Sequence, residues 1–144
     1  MAYAANTSVS FDRSIGEIVG MLKKAGAERI AQFEEPGAFT IQFALAERII
    51  KFRVALPQAS EMPARDGRNS LLSNAKRQEM ADQRARQKGR ALMLVVKAKL
   101  ESVESKVETF EQAFFANVVM SDGATLYERL SGPVAIEYKT GQIA

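Results

Sequence analysis

The chain has 144 residues, of which 47% are apolar and 26% are charged, and its formal net charge is +3. A chain of this length forms one domain with its own core, because it buries roughly 70% of its unfolded surface. The sequence contains no Cys and no His, which excludes disulfides, zinc sites built on thiolate or imidazole, Cys nucleophiles and His acid–base catalysis. We therefore expect a protein that is not an enzyme and that uses no metal or cofactor.

Charge is spread unevenly along the chain. Residues 60–90 carry eight basic and four acidic side chains, whereas residues 101–144 carry three basic and seven acidic side chains. This asymmetry favours an anionic partner for the basic middle of the chain. No apolar run approaches the roughly 18 residues of a membrane span, and the first ten residues do not resemble a secretory signal. We expect a cytoplasmic protein with no membrane partner.

The first predicted element is a helix over residues 12–25. Residues 1–10, before it, are small and polar and are predicted to form a flexible arm. Ser14 and Glu17 fit a capping box, and Gly26 fits the position that follows a helix end. The apolar side chains recur on one face of this helix: Ile15, Ile18, Val19 and Leu22.

Three strands are predicted next, over residues 28–34, 39–45 and 50–56. The second and third alternate apolar and polar side chains, which is typical of half-buried strands. Turn signals at Glu35-Pro36-Gly37 and a bend at Glu47-Arg48 make an antiparallel meander. Residues 58–73 are predicted to be a long loop, which carries Arg65 and Arg68.

A long helix is predicted from Asn74 to about residue 119, with Ser73 or Asn74 as its N-cap. Its second half carries one apolar stripe at steps of three and four: Leu92, Val96, Leu100, Val103, Val107, Phe110 and Phe114. We expect this stripe to cover the sheet. The alternative is that it pairs with a second copy and forms a homodimer. The polar half before Gly89 is expected to extend beyond the sheet.

The C-terminal part is predicted to form short helices. Leu126, Tyr127 and Leu130 fit one of them, Gly132-Pro133 interrupts it, and residues 134–139 add one or two further turns. Residues 1–144 are thus predicted to form a single α+β domain. Its order is a helix, a three-stranded antiparallel meander, a long helix packed across it and short C-terminal helices.

The basic side chains before Gly89 are the main candidates for function. Arg77, Arg84 and Lys88 share one helical face, and Arg86, Arg90 and Lys97 lie on a second, adjacent face. A helix with such rows can follow the phosphates of a nucleic acid. We predict ten phosphate contacts: Lys76, Arg77, Arg84, Arg86, Lys88 and Arg90, helped by Arg65, Arg68, Lys51 and Arg53. The simpler alternative is a solvated helix that also carries Glu79 and Asp82. Phe11 and Phe33 are expected in the core.

A second charged feature is the group of four carboxylates Glu101, Glu104, Glu108 and Glu111. The first three share a helical face, and four carboxylates could bind a metal ion. Lys97 and Lys106 lie nearby, so a solvated, ion-paired face is the expected role. The other alternative is an acidic surface on which a protein docks.

Several ordered blocks resemble a group of small proteins encoded by bacteriophages, prophages and integrative elements. They are the opening MAYAANTSV, the strand block that ends in FRVALP, the segments ALMLVVKAKLESVES and TFEQAFFANVVMSDGATLYERL, and the closing YKTGQ. The resemblance implies a mobile-element origin and a bacterial host cytoplasm, and it implies no activity. The order helix, three strands, helix also resembles double-stranded-RNA-binding domains. Their Gly-Pro-x-His loop is absent, and Lys76-Arg77 replaces their Lys-Lys-x-x-Lys start.

The sequence therefore predicts a non-catalytic phage accessory protein that binds nucleic acid, DNA before RNA, through a basic helix. The alternative is a protein-interaction module that inhibits a host complex such as a defence nuclease, in the manner of anti-CRISPR proteins.

Overall fold

The computed structural model describes residues 4–140, except the side chains of Tyr138 and Thr140. Its elements run α1 (Phe11–Lys24), β1 (Glu28–Glu35), β2 (Ala38–Leu45), β3 (Arg48–Ala55), α2 (Asn74–Glu104), α3 (Phe110–Phe114) and α4 (Leu126–Thr140). Short 3-10 turns lie at Ala59–Glu61 and Phe115–Asn117. The predicted α+β fold and its order of elements are confirmed.

The sheet is an antiparallel meander with the strand order β1-β2-β3. Along β2, Phe39, Ile41 and Phe43 point to one face, while Thr40 and Gln42 point to the other, because strand side chains alternate. The β2–β3 loop consists of Ala46 and Glu47, with φ angles of 51° and 62°. The predicted bend at Glu47-Arg48 is therefore displaced by one residue, because two left-handed residues close a hairpin whose twist matches its strands.

Helix α1 begins one residue before its predicted start. Ser10 is the N-cap, since its hydroxyl accepts a hydrogen bond from the Arg13 N–H at 3.1 Å. The predicted cap, Ser14, is instead buried inside the helix. Gly26 ends α1 as predicted, with a φ of 95° and paired bonds from Gly26 N–H to Lys23 O and from Ala27 N–H to Leu22 O.

The long helix is shorter than predicted, because α2 ends at Glu104. Lys106 has a φ of 60°, and the Lys106 and Val107 N–H groups bond back to the carbonyls of Val103 and Ser102. This left-handed turn stops the helix although no glycine is present. Val107 is consequently 76% exposed and leaves the apolar stripe.

A separate short helix, α3, returns the chain to the core. Thr109 and Gln112 form its capping box, with bonds of 3.1 Å and 2.8 Å between their side chains and each other's N–H groups. Phe114 is fully buried and packs edge-to-face on Phe43 and Phe52, with 6.3 Å between ring centroids in both pairs. The stripe covers the sheet as predicted, with its last members supplied by α3.

Both long helices cover the same face of the sheet. The core joins Ile15, Ile18 and Leu22 of α1 to Leu92, Met93 and Val96 of α2 and to the inward side chains of β2 and β3. Phe11 near the start of α1 contacts Gly89, and Met21 near its end lies beside Leu100. The two helices therefore run in the same direction.

The first half of α2 is covered by other segments, so it does not project freely as predicted. Gln83 donates from Nε2 to the carbonyls of Ala5 at 3.2 Å and Thr7 at 3.1 Å, and Ala4 is buried. This part of the predicted arm lies against α2, and residues 1–3 lie outside the described residues. On the other side, Met62 of the long loop is buried as well.

The C-terminal segment extends the sheet and then leaves it. The Val119 N–H donates to Ile49 O at 2.8 Å, which places the segment along the edge of β3. Helix α4 continues through Gly132-Pro133, so the predicted interruption is wrong. Every side chain from Tyr127 to Glu137 is exposed. No helix within residues 4–140 is long and apolar enough to cross a membrane.

Candidate nucleic-acid interface

Three exposed cations follow one ridge of α2. Lys76, Arg84 and Lys88 occupy positions i, i+8 and i+12 of α2. These positions fall on one slanted row of an α-helix, and the row spans about 18 Å along the helix axis. Lys76 lies 3.5 Å from Glu79, an exposed contact that contributes little free energy. Among residues 4–140, the Arg84 and Lys88 side chains form no ion pair or hydrogen bond. We call these three residues the α2 ridge.

Arg77 lies close to this row, but its guanidinium is turned into the protein. Its Nη2 donates to Ser60 O at 3.0 Å and to Met62 O at 2.8 Å, and its Nε is buried without a partner among the described residues. Arg77 therefore attaches the Ala59–Glu61 turn to α2. Because these two hydrogen bonds hold its guanidinium in place, the role of Arg77 is structural.

Arg86 and Arg90 are also engaged inside the domain. Arg86 donates from Nε to the Gln83 side-chain oxygen at 3.1 Å, and Gln83 in turn holds the N-terminal segment. Arg90 Nη1 lies 2.7 Å from Glu17 Oε2, and its side chain is only 15% exposed. This ion pair joins α1 to α2. Two members of the second predicted basic face are thus occupied with packing contacts, whereas Lys97 is exposed.

The long loop presents one exposed cation without a partner. Asp66 accepts from the N–H groups of Arg68 and Ser70, each at 2.9 Å, and so fixes the loop. Arg65 donates to Asn69 O at 2.9 Å across the same loop. The Arg68 guanidinium makes no hydrogen bond or ion pair within residues 4–140. Arg68 is therefore available to a ligand, whereas Arg65 stabilises the loop.

Lys51 and Arg53 lie on the opposite side of the domain from α2. They alternate with the inward-pointing Ile50 and Phe52 of β3, so they project from the uncovered face of the sheet. Lys51 lies 4.0 Å from Glu128 and donates to Gly123 O at 3.2 Å, and Arg53 lies 3.5 Å from Glu35. The ten predicted contacts therefore do not form one surface, and this pair is balanced by carboxylates.

Phe33 is the surface residue that the sequence missed. It pairs with Thr40 on the uncovered face of the sheet and is 56% exposed, although it was predicted to lie in the core. A signal was present, because Ile30 and Phe33 are three residues apart and a strand places such residues on opposite faces. Ile30 packs against the core, so Phe33 faces outward.

The predicted acidic face is divided by the end of α2. Glu101 accepts from the Ser105 hydroxyl at 2.9 Å, Glu108 accepts from the Ser102 hydroxyl at 2.7 Å, and Glu111 pairs with Arg48. In the described part of the chain, no group of three or more acidic side chains could hold a metal ion. Glu101, Glu108 and Glu111 are thus engaged in contacts within the domain.

The carboxyl group of Glu128 has a perturbed pKa. The Thr125 N–H donates to its Oε1 at 3.0 Å and the Thr125 hydroxyl at 3.1 Å, and both bonds favour the ionised form. Lys51 and Arg53 add a smaller attraction, so the pKa of Glu128 lies below its usual value. Glu128 and Thr125 together form the capping box that begins α4.

No model of a known protein family, no curated protein and no solved structure matches the chain. The function is therefore inferred from the charges and exposed side chains of the fold. Among the ten predicted contacts, Arg68, Arg84 and Lys88 are the side chains that form no ion pair or hydrogen bond within residues 4–140.

Proposed function

We propose that the protein is a non-catalytic accessory protein that binds nucleic acid, DNA before RNA, through the α2 ridge. One observation is the main support for this proposal. Arg84 and Lys88 are exposed, lie one helical turn apart and make no ion pair within residues 4–140. The resemblance of its sequence blocks to phage and prophage proteins supports a role in a bacterial host cytoplasm.

Electrostatics supports this choice. A cation that already has an internal carboxylate partner must break that contact before it can bind a phosphate. Arg84 and Lys88 have no such contact to break, and each releases a condensed counterion when it neutralises a phosphate. Arg68 adds a further free guanidinium on the loop that precedes α2.

The proposed contact set is smaller than the one taken from the sequence. It keeps Lys76, Arg84, Lys88 and Arg68. Arg77, Arg86 and Arg90 hold α2 against its neighbours, and Arg65 holds its own loop. Lys51 and Arg53 lie on the other side of the sheet.

A salt titration of binding to short labelled DNA tests the proposal. Four phosphate contacts give a slope of log K against log salt of about −3.6 for duplex DNA and about −2.8 for single strands. Raising salt from about 50 to about 200 mM should therefore weaken duplex binding about 150-fold. Binding that does not change with salt concentration, or no binding to either duplex or single-stranded DNA, would contradict the proposal.

The second candidate function is a protein-interaction module that acts on a host complex. The observation that favours it is the exposed apolar surface of α4, which is typical of protein interfaces. A tagged pull-down from host cells, with and without nuclease, separates the two functions. Partners that survive nuclease, together with no affinity for naked DNA, would favour this candidate.

A further inference from the structure

A groove lies beside the α2 ridge, on the face of α2 that is turned away from the core. Its walls are Ala5 of the N-terminal segment and side chains of α2 between Lys76 and Gln87, and its volume is about 440 Å³. Sites that hold one small molecule have volumes of roughly 300–1,000 Å³. The groove is therefore large enough for a single nucleotide.

The charges that line the groove are mostly positive. Lys76 and Arg84 of the ridge line it together with Arg86, whereas Glu79 is its one carboxylate within residues 4–140. Lys76 and Arg84 are eight residues apart, which is about 12 Å along the helix axis. Arg86 is held in place by its bond to the Gln83 side chain. This excess of cations on the walls favours an anionic ligand.

The groove also offers the contacts that a nucleic-acid base needs. Met80 and Gln87 line it and are half-buried. The amide of Gln87 forms no hydrogen bond within residues 4–140, so it can both donate to and accept from the edge of a base. The guanidinium of Arg84 is likewise without a partner there, and it is a plane on which a base can stack.

Neighbouring segments keep α2 out of the major groove of a DNA duplex. That groove is about 12 Å wide and admits one α-helix, whose diameter with side chains is about 10–12 Å. Gln83 holds the N-terminal segment against one side of α2, and Arg77 holds the Ala59–Glu61 turn against the other. The helix with these two segments is wider than the major groove. A duplex can therefore contact the α2 ridge only through its backbone.

We propose that the groove binds an unpaired nucleotide, so that the protein prefers single-stranded DNA to duplex DNA. This inference rests on the proposed function, because the same ridge supplies the phosphate contacts. Lys76 and Arg84 bind phosphates at the edge of the groove, while one base enters it and contacts Met80 and Gln87. A single strand can turn a base out toward the protein, whereas the bases of a duplex are paired and stacked inside it.

Fluorescence anisotropy with a short labelled strand, and with the duplex of the same sequence at the same salt concentration, tests this preference. We expect the single strand to bind at least about tenfold more tightly, because the duplex complex lacks the stacked base. A duplex that binds as tightly as the single strand, or more tightly, overturns this inference and leaves the proposed function in place. No binding to either form overturns both.

Two uncharged substitutions test whether the groove is the site. Ala5→Leu fills the groove without changing its charge, and it should weaken single-strand binding at least about fivefold and leave duplex binding within about twofold. Gln87→Ala removes the free amide and should also weaken single-strand binding alone. Ala98→Leu is the matched control, because Ala98 is exposed later on the same helix, and it should change neither affinity.

The melting curve of Ala5→Leu should match that of the wild type, because the bond from Gln83 to residue 5 is made to its backbone carbonyl. Single-strand binding that survives both Ala5→Leu and Gln87→Ala would show that the base does not enter this groove. Equal losses of single-strand and duplex binding in these variants would overturn the inference as well.

Discussion

Gly89 of α2 touches the ring of Phe11 of α1. A Cβ atom at position 89 would lie 2.9 Å from Phe11 Cδ1 and 3.4 Å from the Phe11 Cα. The two parallel helices therefore meet at a site with no room for a side chain. Phe11 itself cannot yield easily, because its ring also packs edge-to-face on Phe39 of the sheet at 5.1 Å between centroids.

We predict that Gly89→Ala destabilises the protein although alanine is the better helix former. Overpacking of a core contact costs about 1–3 kcal/mol, and the gain in helix propensity offsets up to about 1 kcal/mol of it. A net loss of about 1–2 kcal/mol should appear in urea unfolding. Gly16→Ala in α1 is the control, because nothing lies within 4 Å of that position. That variant should gain about 0.5–1 kcal/mol. If both variants are stabilised, the close contact does not exist.

Arg77 is predicted to matter for stability more than for nucleic-acid binding. Arg77→Ala removes two charge-assisted bonds to the Ser60 and Met62 carbonyls, and we expect a loss of about 1.5–3 kcal/mol. Arg77→Lys should recover only part of it, because both bonds come from Nη2 and a lysine Nζ lies one bond closer to the backbone. Arg84→Ala, on an exposed side chain, should change the unfolding free energy by less than about 0.5 kcal/mol. Equal losses for Arg77→Ala and Arg84→Ala would contradict this assignment.

The double variant Arg84→Ala/Lys88→Ala is predicted to weaken DNA binding and to flatten its dependence on salt. Two lost phosphate contacts should reduce the magnitude of the slope by about 1.8 for duplex DNA. Lys97→Ala is the matched control, because Lys97 is an exposed lysine later on the same helix. Its substitution removes the same charge as Lys88→Ala and should leave the slope unchanged. Fluorescence anisotropy at several salt concentrations measures the slope for the double variant and for Lys97→Ala. If Lys97→Ala flattens the slope as much as Lys88→Ala does, only the net charge of the protein matters.

Low pH is predicted to destabilise the start of α4, because protonation of Glu128 weakens the capping box there. Its pKa is lowered in the folded protein, so its ionised cap stabilises the fold above the pKa of the unfolded chain. That contribution is lost as pH falls from the usual value of 4.5 through the lower folded pKa. Carbon-detected NMR titration of the carboxyl group should give a midpoint below 4.5. Glu128→Gln should remove this part of the pH dependence, and a midpoint at or above the usual value would refute the role of the Thr125 bonds.

Much of the fold could be predicted from the sequence, because the patterns that specify its strands and helix ends are local. The alternation of Phe39, Ile41 and Phe43 predicts the inner face of β2, and Ser73 and Gly26 mark helix ends that the structure confirms. The end of α2 was missed because Lys106 carries no residue-type signal for a left-handed conformation. The Thr109–Gln112 capping box did give a signal that a new helix begins there.

The site was less predictable, because the roles of its cations depend on distant segments. Arg77 and Arg84 share a helical face in the sequence. They differ because the loop carbonyls of Ser60 and Met62, 15 to 17 residues earlier, reach only Arg77. Arg90 is likewise bound to Glu17, 73 residues away. Periodicity places a charge on a face, but it does not show which neighbour already occupies it.

The position of α2 along the chain has a consequence for how the protein is made. The sheet is complete at Ala55, and α1 covers part of its inner face, yet the rest of the cover comes from residues after Gly89. A growing chain must therefore carry part of this face, including Phe43, uncovered until α2 and α3 have left the ribosome. Such non-local closure favours folding in milliseconds or longer. Chains released before α2 should aggregate or be degraded, so premature termination would leave no partly active fragment.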